Sequence, residues 1–212
     1  MSTITFPTLT EGPTDVEWGL KANTQVFVSE LSGQVQTREL PGARWTLSFR
    51  LPHRLAEDAR LLEVFLAQLR GQANRARFTL SEILGARATV TGTWAGSPTV
   101  NNDSASPSEL QTGSSLICKG FTAGATVKKG DLFNIGSAGE LKMVTADGTA
   151  DGSGNLTLSF EPPIRSSPAH ATALVSSGQV LPYALATDPH ARWQYQPGVF
   201  ADFALDFVES FA

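Results

Sequence analysis

Three histidines, one cysteine and one aspartate-rich turn are the groups in this 212-residue chain whose types suit metal or nucleophilic chemistry. A zinc site needs His, Cys or carboxylate ligands at short spacings that let three or four of them converge. His53, His170 and His190 stand far apart, and none has a ligand-type partner at metal spacing. They read as surface or junction residues. Cys118 lies in the apolar run Ser115-Leu116-Ile117-Cys118. A single cysteine allows no intrachain disulfide, so this one is expected to be a buried, inert thiol. Asp147-Gly148-Thr149-Ala150-Asp151-Gly152 has the outline of a calcium loop, but Thr149 takes its third position and Leu158 that of the bidentate glutamate. The stretch through Asn155 is better read as a long hairpin turn, where Asp, Gly and Asn serve left-handed backbone.

The glycines form no phosphate loop. Gly124 to Gly130 lacks the Gly-Lys-Ser/Thr ending, and Gly152-Ser153-Gly154 lacks a third glycine. No Gly-x-Ser-x-Gly nucleophile elbow is present. The Glu57-Asp58 pair sits where a helix's first turn would begin, and dipole compensation accounts for it there. The residues therefore predict no catalytic site, no cofactor, no metal and no enzyme.

The overall charge narrows the partners. Sixteen basic and twenty acidic residues give a net charge of −4, which is wrong for a protein that neutralises phosphates. Only 17% of residues are charged, so much of the surface must be Ser, Thr, Gly and Gln. That suits β structure and durable subunit contacts. Met1 to Asp15 carries no basic residue and no signal-like apolar core, and no apolar run reaches membrane-span length. The expectation is synthesis in the cytoplasm and no membrane insertion.

The elements that position these residues are mostly strands. Val26 to Leu31 and Gln34 to Thr37 flank the Ser32-Gly33 turn of a hairpin. After Pro41-Gly42, Trp45, Leu47, Phe49 and Leu51 alternate with Arg44, Thr46, Ser48 and Arg50, the pattern of a half-buried strand. Pro52 is expected to end it. A helix is predicted from Leu55 to Arg70, with Leu55, Ala59, Leu62, Leu66 and Leu69 on one stripe and Gly71 as its stop. Leu61 and Val64 lie off that stripe, which fits either deeper burial in the same domain or contact with a neighbouring subunit.

Ala76 to Leu80 reads as the next strand, Ser97 to Gly113 as a polar loop. Short strands at Leu116–Phe121, Asp131–Ile135, Leu141–Thr145 and Leu156–Phe160 then follow between Gly-rich turns, the signature of a small barrel or sandwich. Leu181 to Ala186 and Ala201 to Phe211 return to the first style, with Phe203, Leu205, Phe207 and Phe211 on one face. The predicted organisation is mostly β: a base domain from residues 1–87 and 179–212, a sandwich or split barrel with one α-helix, carrying an inserted small OB-like β-barrel at 88–178.

Several of these segments together resemble the distal tail protein of siphophages, the long-tailed, non-contractile phages. The resemblance rests on Ser32-Gly33, on Pro41-Gly42-Ala43-Arg44-Trp45 leading into an alternating strand, and on Pro52 leading into a helix that ends at Leu69-Arg70-Gly71-Gln72. The closing strand Phe203 to Ser210 also carries it. In the insertion, the stretch from Ala123-Gly124-Ala125 to Lys129-Gly130-Asp131-Leu132-Phe133 and the run Leu156 to Pro162 are similar to the OB-like module of some members. The resemblance implies a tail-tube-like base and a homo-oligomeric, hexameric ring at the distal end of the tail. Its partners would be the tail tube protein and the hub or tip proteins of the receptor-binding apparatus. DNA would pass through its lumen without specific binding. The implied location is the virion, with assembly in the host cytoplasm, and no catalytic residue is implied.

Two further readings remain open. Arg50, Arg54, Arg60, Arg70, Arg75 and Arg77 cluster around the helix, while the 179–212 segment carries Arg192 against Asp188, Asp202, Asp206 and Glu209. The arginines are either a solvated face or, with those acids, the two halves of a head-to-tail contact. The insertion is alternatively a carbohydrate- or nucleic-acid-binding module, with Trp94, Phe121, Phe133 and Phe160 stacking beside Lys119, Lys128, Lys129 and Lys142, or the chain is another tail component such as a tube or terminator subunit. The phenylalanines sit in apolar runs, which favours a core role for them.

Overall fold

The computed structural model describes residues 1–54, 56–104, 110–137, 139–187, 194–196 and 200–211, leaving the side chains of 52–56, 104 and 191–202 aside. In chain order, the first strands are β1 (Thr3–Thr5), β2 (Asp15–Lys21), β3 (Thr24–Val28), β4 (Val35–Glu39) and β5 (Arg44–Arg54). Helix α1 (Ala56–Leu69), β6 (Arg75–Thr79) and a short α2 (Leu80–Leu84) follow. Next come β7 (Gly96–Val100), β8 (Gly113–Phe121), β9 (Thr126–Val127), β10 (Leu132–Ile135), β11 (Leu141–Val144), β12 (Gly148–Thr149), β13 (Leu156–Ile164) and β14 (Leu174–Val175). The chain closes with β15 (Val180–Ala186), β16 (Gln194–Gln196) and β17 (Phe200–Glu209). The protein is mostly β.

The base sheet has the order β1-β6-β15-β17-β5-β2, with β16 paired to β17. Both ends of the chain build it, because β17 lies between β5 and β15. The alternation in β5 delivers what it predicts: Trp45, Leu47, Phe49 and Leu51 are all buried. Phe203, Leu205 and Phe207 of β17 join them. Helix α1 covers this face through Ala59, Leu62, Phe65, Leu66 and Leu69. Phe6 ties the layers together, 5.5 Å from Phe49 and 5.3 Å from Phe65, ring centre to ring centre. Each fully buried Phe or Leu here contributes roughly 1.5–3 kcal/mol.

The second sheet, β14-β10-β11-β13-β8-β7, curls until its ends nearly meet. The Val100 N–H donates to the Thr172 carbonyl at 2.9 Å and the Ala171 N–H to that of Val100 at 3.0 Å, so the barrel is almost closed. Its interior holds Trp94, Phe121, Phe133, Phe160, Leu116, Leu158 and Cys118. The ribbon of β9 and β12 lies beside it.

Barrel and base are fused rather than merely linked. Leu132 and Leu141, from barrel strands, belong to the base core. The Trp45 indole N–H donates to the Leu141 carbonyl at 3.1 Å. The Asn134 side chain both donates to and accepts from the Val180 backbone at 2.8 Å.

Several local expectations need correction. β5 runs through Pro52 to Arg54 instead of stopping at the proline. Its register on β17 shifts there, with Phe203 opposite Leu51 but Ala201 opposite Arg54. A bulge places an extra residue outside the ladder, which accommodates a residue without an N–H. The helix stops at Leu69, because Arg70 already takes a left-handed φ of 48°, followed by Gly71 at 65°. Thr79 ends β6, and Leu80 starts a second helix instead of closing the strand. The Ser97–Gly113 loop is partly strand: β7 carries Pro98 at the end of the sheet order, where a missing ladder donor costs least. Phe211 lies beyond the last strand and is 37% exposed. Glu209, not a phenylalanine, takes the next inward position after Phe207, with 1% exposure. Leu55 lies outside the described residues.

Candidate functional site: an exposed arm and the cleft at its root

Strands β3 and β4 form a two-stranded sheet of their own, joined to neither larger sheet. Every residue of both strands is exposed. The register pairs Val26 with Thr37 and Val28 with Val35 on one face, and Phe27 with Gln36 and Gln25 with Arg38 on the other. The tip is an ordered turn. Ser29 donates its N–H to Gln34 and Gly33 its N–H to Ser29, both at 2.9 Å, with Gly33 at a φ of 67° that favours glycine. Val26, Phe27, Val28, Leu31 and Val35 are exposed by between 54% and 101%. An isolated hairpin is marginal in water, and this one is apolar with both edges open among the described residues.

A cleft of about 750 Å³ opens where this arm meets the body. One wall is the chain from Glu39 to Ala43 that leads out of β4; the other comes from Pro162–Ser166 at the end of β13. Pro182, Tyr183 and Phe211 complete it. The Phe211 ring is held between two guanidiniums, Arg44 at 4.3 Å and Arg165 at 4.0 Å from its centre. Arg165 also grips buried Glu209 with two bonds, 2.9 and 2.8 Å, and the Trp45 N–H donates to the same carboxylate at 3.1 Å. Beneath the cleft, the fully buried Lys142 amine donates to Glu140 at 2.6 Å and to the Pro163 carbonyl at 2.8 Å. Burial pushes that amine's pKa down while Glu140 pulls it back up.

The sequence located the hairpin but not its exposure. The signal was there: Val26-Phe27-Val28 is apolar on both faces of a strand, which no half-buried strand needs. The pairing of Arg165 with Glu209 and the stacking of Arg44 and Arg165 on Phe211 leave no signal in the sequence, because they join positions far apart in the chain.

On the helix, Leu61 and Val64 are 47% and 55% exposed, so burial within the same domain is not their role. Two of the six arginines near the helix bond within the chain. Arg75 donates to the Ser210 hydroxyl at 2.6 Å and Arg77 to the Ser137 carbonyl at 3.2 Å. Glu209 is turned inward to Arg165 and is not available to a neighbour. The side chains of Arg54 and Asp202, together with Asp188 and Arg192, lie outside the described residues.

The other candidate groups make local contacts where they are described. His170 sits beside Lys119 at 3.0 Å and Asp103 at 3.4 Å, with its Nδ1 accepting from the Asn102 N–H at 3.2 Å. The His53 side chain and His190 lie outside the described residues. Among the described residues, no three His, Cys, Asp or Glu side chains are grouped to hold a metal. Asp151 accepts from the Ser153 and Asn155 N–H groups, both at 2.8 Å, and Asp147 from that of Lys129 at 2.8 Å. The turn's own backbone thus occupies Asp151, and the Lys128–Lys129 segment occupies Asp147; these bonds lower both pKa values.

Asp131 takes five bonds, from the Thr91 N–H and hydroxyl, the Gly92 and Lys128 N–H groups and the Trp94 indole, at 2.7 to 3.1 Å. Burial works to raise this carboxyl, but the donors from Thr91, Trp94 and Lys128 hold it below the usual range. A side chain at Gly92 would collide with the Thr126 carbonyl and this carboxylate. Burial alone pushes the Cys118 thiol far up, which makes it inert. The insertion's aromatics pack on one another, Trp94 to Phe133 at 5.4 Å and Phe133 to Phe160 at 5.7 Å, and serve as core instead of a stacking platform. No family model matches this chain, and no curated protein matches its sequence.

Proposed function

We propose that this chain is a structural virion subunit that builds a hexameric ring at the distal end of a siphophage tail tube. In this reading the ring joins the tube to the hub or tip proteins and the receptor-binding apparatus, and leaves a lumen for DNA. The observation that carries the assembly part is the arm: five large apolar residues on a projecting ribbon whose edges are both unpaired among the described residues. A monomer gains nothing from such a ribbon, whereas a neighbouring copy would cover it. Leu61 and Val64 add a second apolar spot on the helix. The tail location and the sixfold count come from the resemblance of the base and insertion segments.

A head-to-tail contact between identical copies either closes into a ring or runs on as a filament. The outward face of the base sheet suits a passage. Glu17, Ser48 and Asp206 lie side by side across β2, β5 and β17, as do Asp15, Arg50 and Ala204. That face is polar, with Lys21, Arg44 and Arg50 interspersed among Asp15, Glu17 and Asp206.

Electron microscopy of the purified protein, alone and mixed with tail tubes, tests the reading. Rings with a central hole, seated at one tube end, are expected. Compact monomers under both conditions would refute it.

A further inference from the structure

The arm's own ladder shows which of its backbone groups are free. Ser29 donates its N–H to the Gln34 carbonyl and Leu40 its N–H to that of Asn23. The register between them sets Gln25 opposite Arg38 and Phe27 opposite Gln36. In an antiparallel pair every second residue bonds inward, so residues 23, 25, 27 and 29 face β4. The N–H and C=O groups of Thr24, Val26 and Val28 therefore point outward from β3, and those of Val35, Thr37 and Glu39 outward from β4. The side chains of these six residues share one face of the ribbon, the one with three valines.

An open edge is a template for another strand, and proteins block it with short strands, charge, proline or a bulge. The four ends of the two large sheets have such blocks. β1 and β14 are three and two residues long, β2 carries Asp15, Glu17 and Lys21, and β7 carries Pro98. β4 has Arg38 and Glu39 at its root. β3 has no block: Thr24 to Ser29 contains no charge, proline or glycine, and its pairing with β4 runs without a register shift.

We propose that the bare edge of β3 pairs with the outer edge of β4 in a neighbouring copy, arm to arm around the ring. The inference rests on the assembly reading above and names the contact which that reading leaves open. Thr24, Val26 and Val28 of one arm then bond to Val35, Thr37 and Glu39 of the next, and the valines stay on one face. No like charges meet, because β3 has none. A lone two-stranded ribbon is marginal in water, whereas joined ribbons exceed three strands with an apolar face. Each arm offers β3 on one side and β4 on the other, the heterologous arrangement that closes into a ring and leaves no edge open. Six hairpins make a collar roughly 20–25 Å across its backbone, at about 4.8 Å per strand. Lined with side chains, that collar is too narrow for a DNA duplex, so the arms part when DNA passes.

The test uses proline, which cannot donate to a ladder. Val26→Pro removes an outward N–H from β3 and Thr37→Pro one from β4, and neither breaks a bond inside the arm. Both positions lie outside the cores, so unchanged melting temperatures will confirm folding. Native mass over a concentration series is the readout. Each variant alone should raise the concentration of half-assembly at least about tenfold. An equal mixture should form a particle of two chain masses and no larger, because only β4 of the Val26→Pro chain and β3 of the Thr37→Pro chain remain able to pair. Thr37→Pro protein that assembles like wild type while Val26→Pro does not would show β3 pairing with β3, and would overturn the inference. Wild-type assembly that neither proline disturbs, or a mixture no larger than its components, would also overturn it and leave the ring reading standing. A wild-type protein that stays monomeric at all concentrations and with tail tubes would overturn both.

Discussion

At the scale of single residues, two buried carboxylates each gather several donors from distant parts of the chain. Asp131 collects five donors, and replacing it with alanine strands them, at a cost of roughly 2–4 kcal/mol. Its folded-state pKa is depressed, so its contribution is fully present above the unfolded value of about 4 and fades as pH falls through and below it. Thermal melts of wild type and Asp131→Asn should therefore differ most at neutral pH and converge in acid; a constant gap would contradict the assignment. Glu209 is the second. Glu209→Ala leaves Arg165 without its carboxylate at the junction of base and barrel, and should cost roughly 3–5 kcal/mol in denaturant unfolding. An unchanged midpoint would show that the pair contributes nothing. The sequence could not indicate either role. Asp131 looked like the polar start of a strand, and Glu209 like one acid among several at the chain end; only the fold brings Thr91, Trp94 and Lys128, or Arg165 and Trp45, to them.

Among the elements, β17 matters most, since it is hydrogen-bonded to β5, β15 and β16. Removing residues 203–212 takes Phe203, Leu205 and Phe207 from the core, each worth roughly 1.5–3 kcal/mol against a typical total of about 5–15, and should abolish cooperative melting. Its alternation was plain in the sequence, as were β5 and the helix stripe, because a period of 2 or 3.6 survives without knowledge of the partner. Excising residues 88–178 is a different matter. Closing a short linker costs little, but Leu132 and Leu141 leave the base core with the barrel, at about 2–5 kcal/mol each. The excised base should melt far lower than the intact chain or not cooperatively at all; a melt within a few degrees of wild type would show that the fused joint is dispensable. Neither leucine announces this contact, since both sit in strands whose own pattern is fully explained by a barrel interior. The short strands β1, β9, β12 and β14 were equally hidden, for two or three residues are too few to show a period.

For the whole molecule, the account turns on the arm. It is legible as a hairpin from Ser32-Gly33 and the flanking runs, yet its meaning depends on what does not cover it, which no single sequence states. Replacing Gln25–Arg38 with a two-residue turn removes the apolar ribbon without touching either core, so the variant should keep its melting temperature. The most direct measurement is the native mass of the intact chain beside that armless variant, across a concentration series and with tail tubes added. The account predicts a particle of six chain masses for the intact protein and a single chain mass for the variant. An armless protein that assembles as readily as the intact one, or an intact protein that never exceeds one chain, would contradict it.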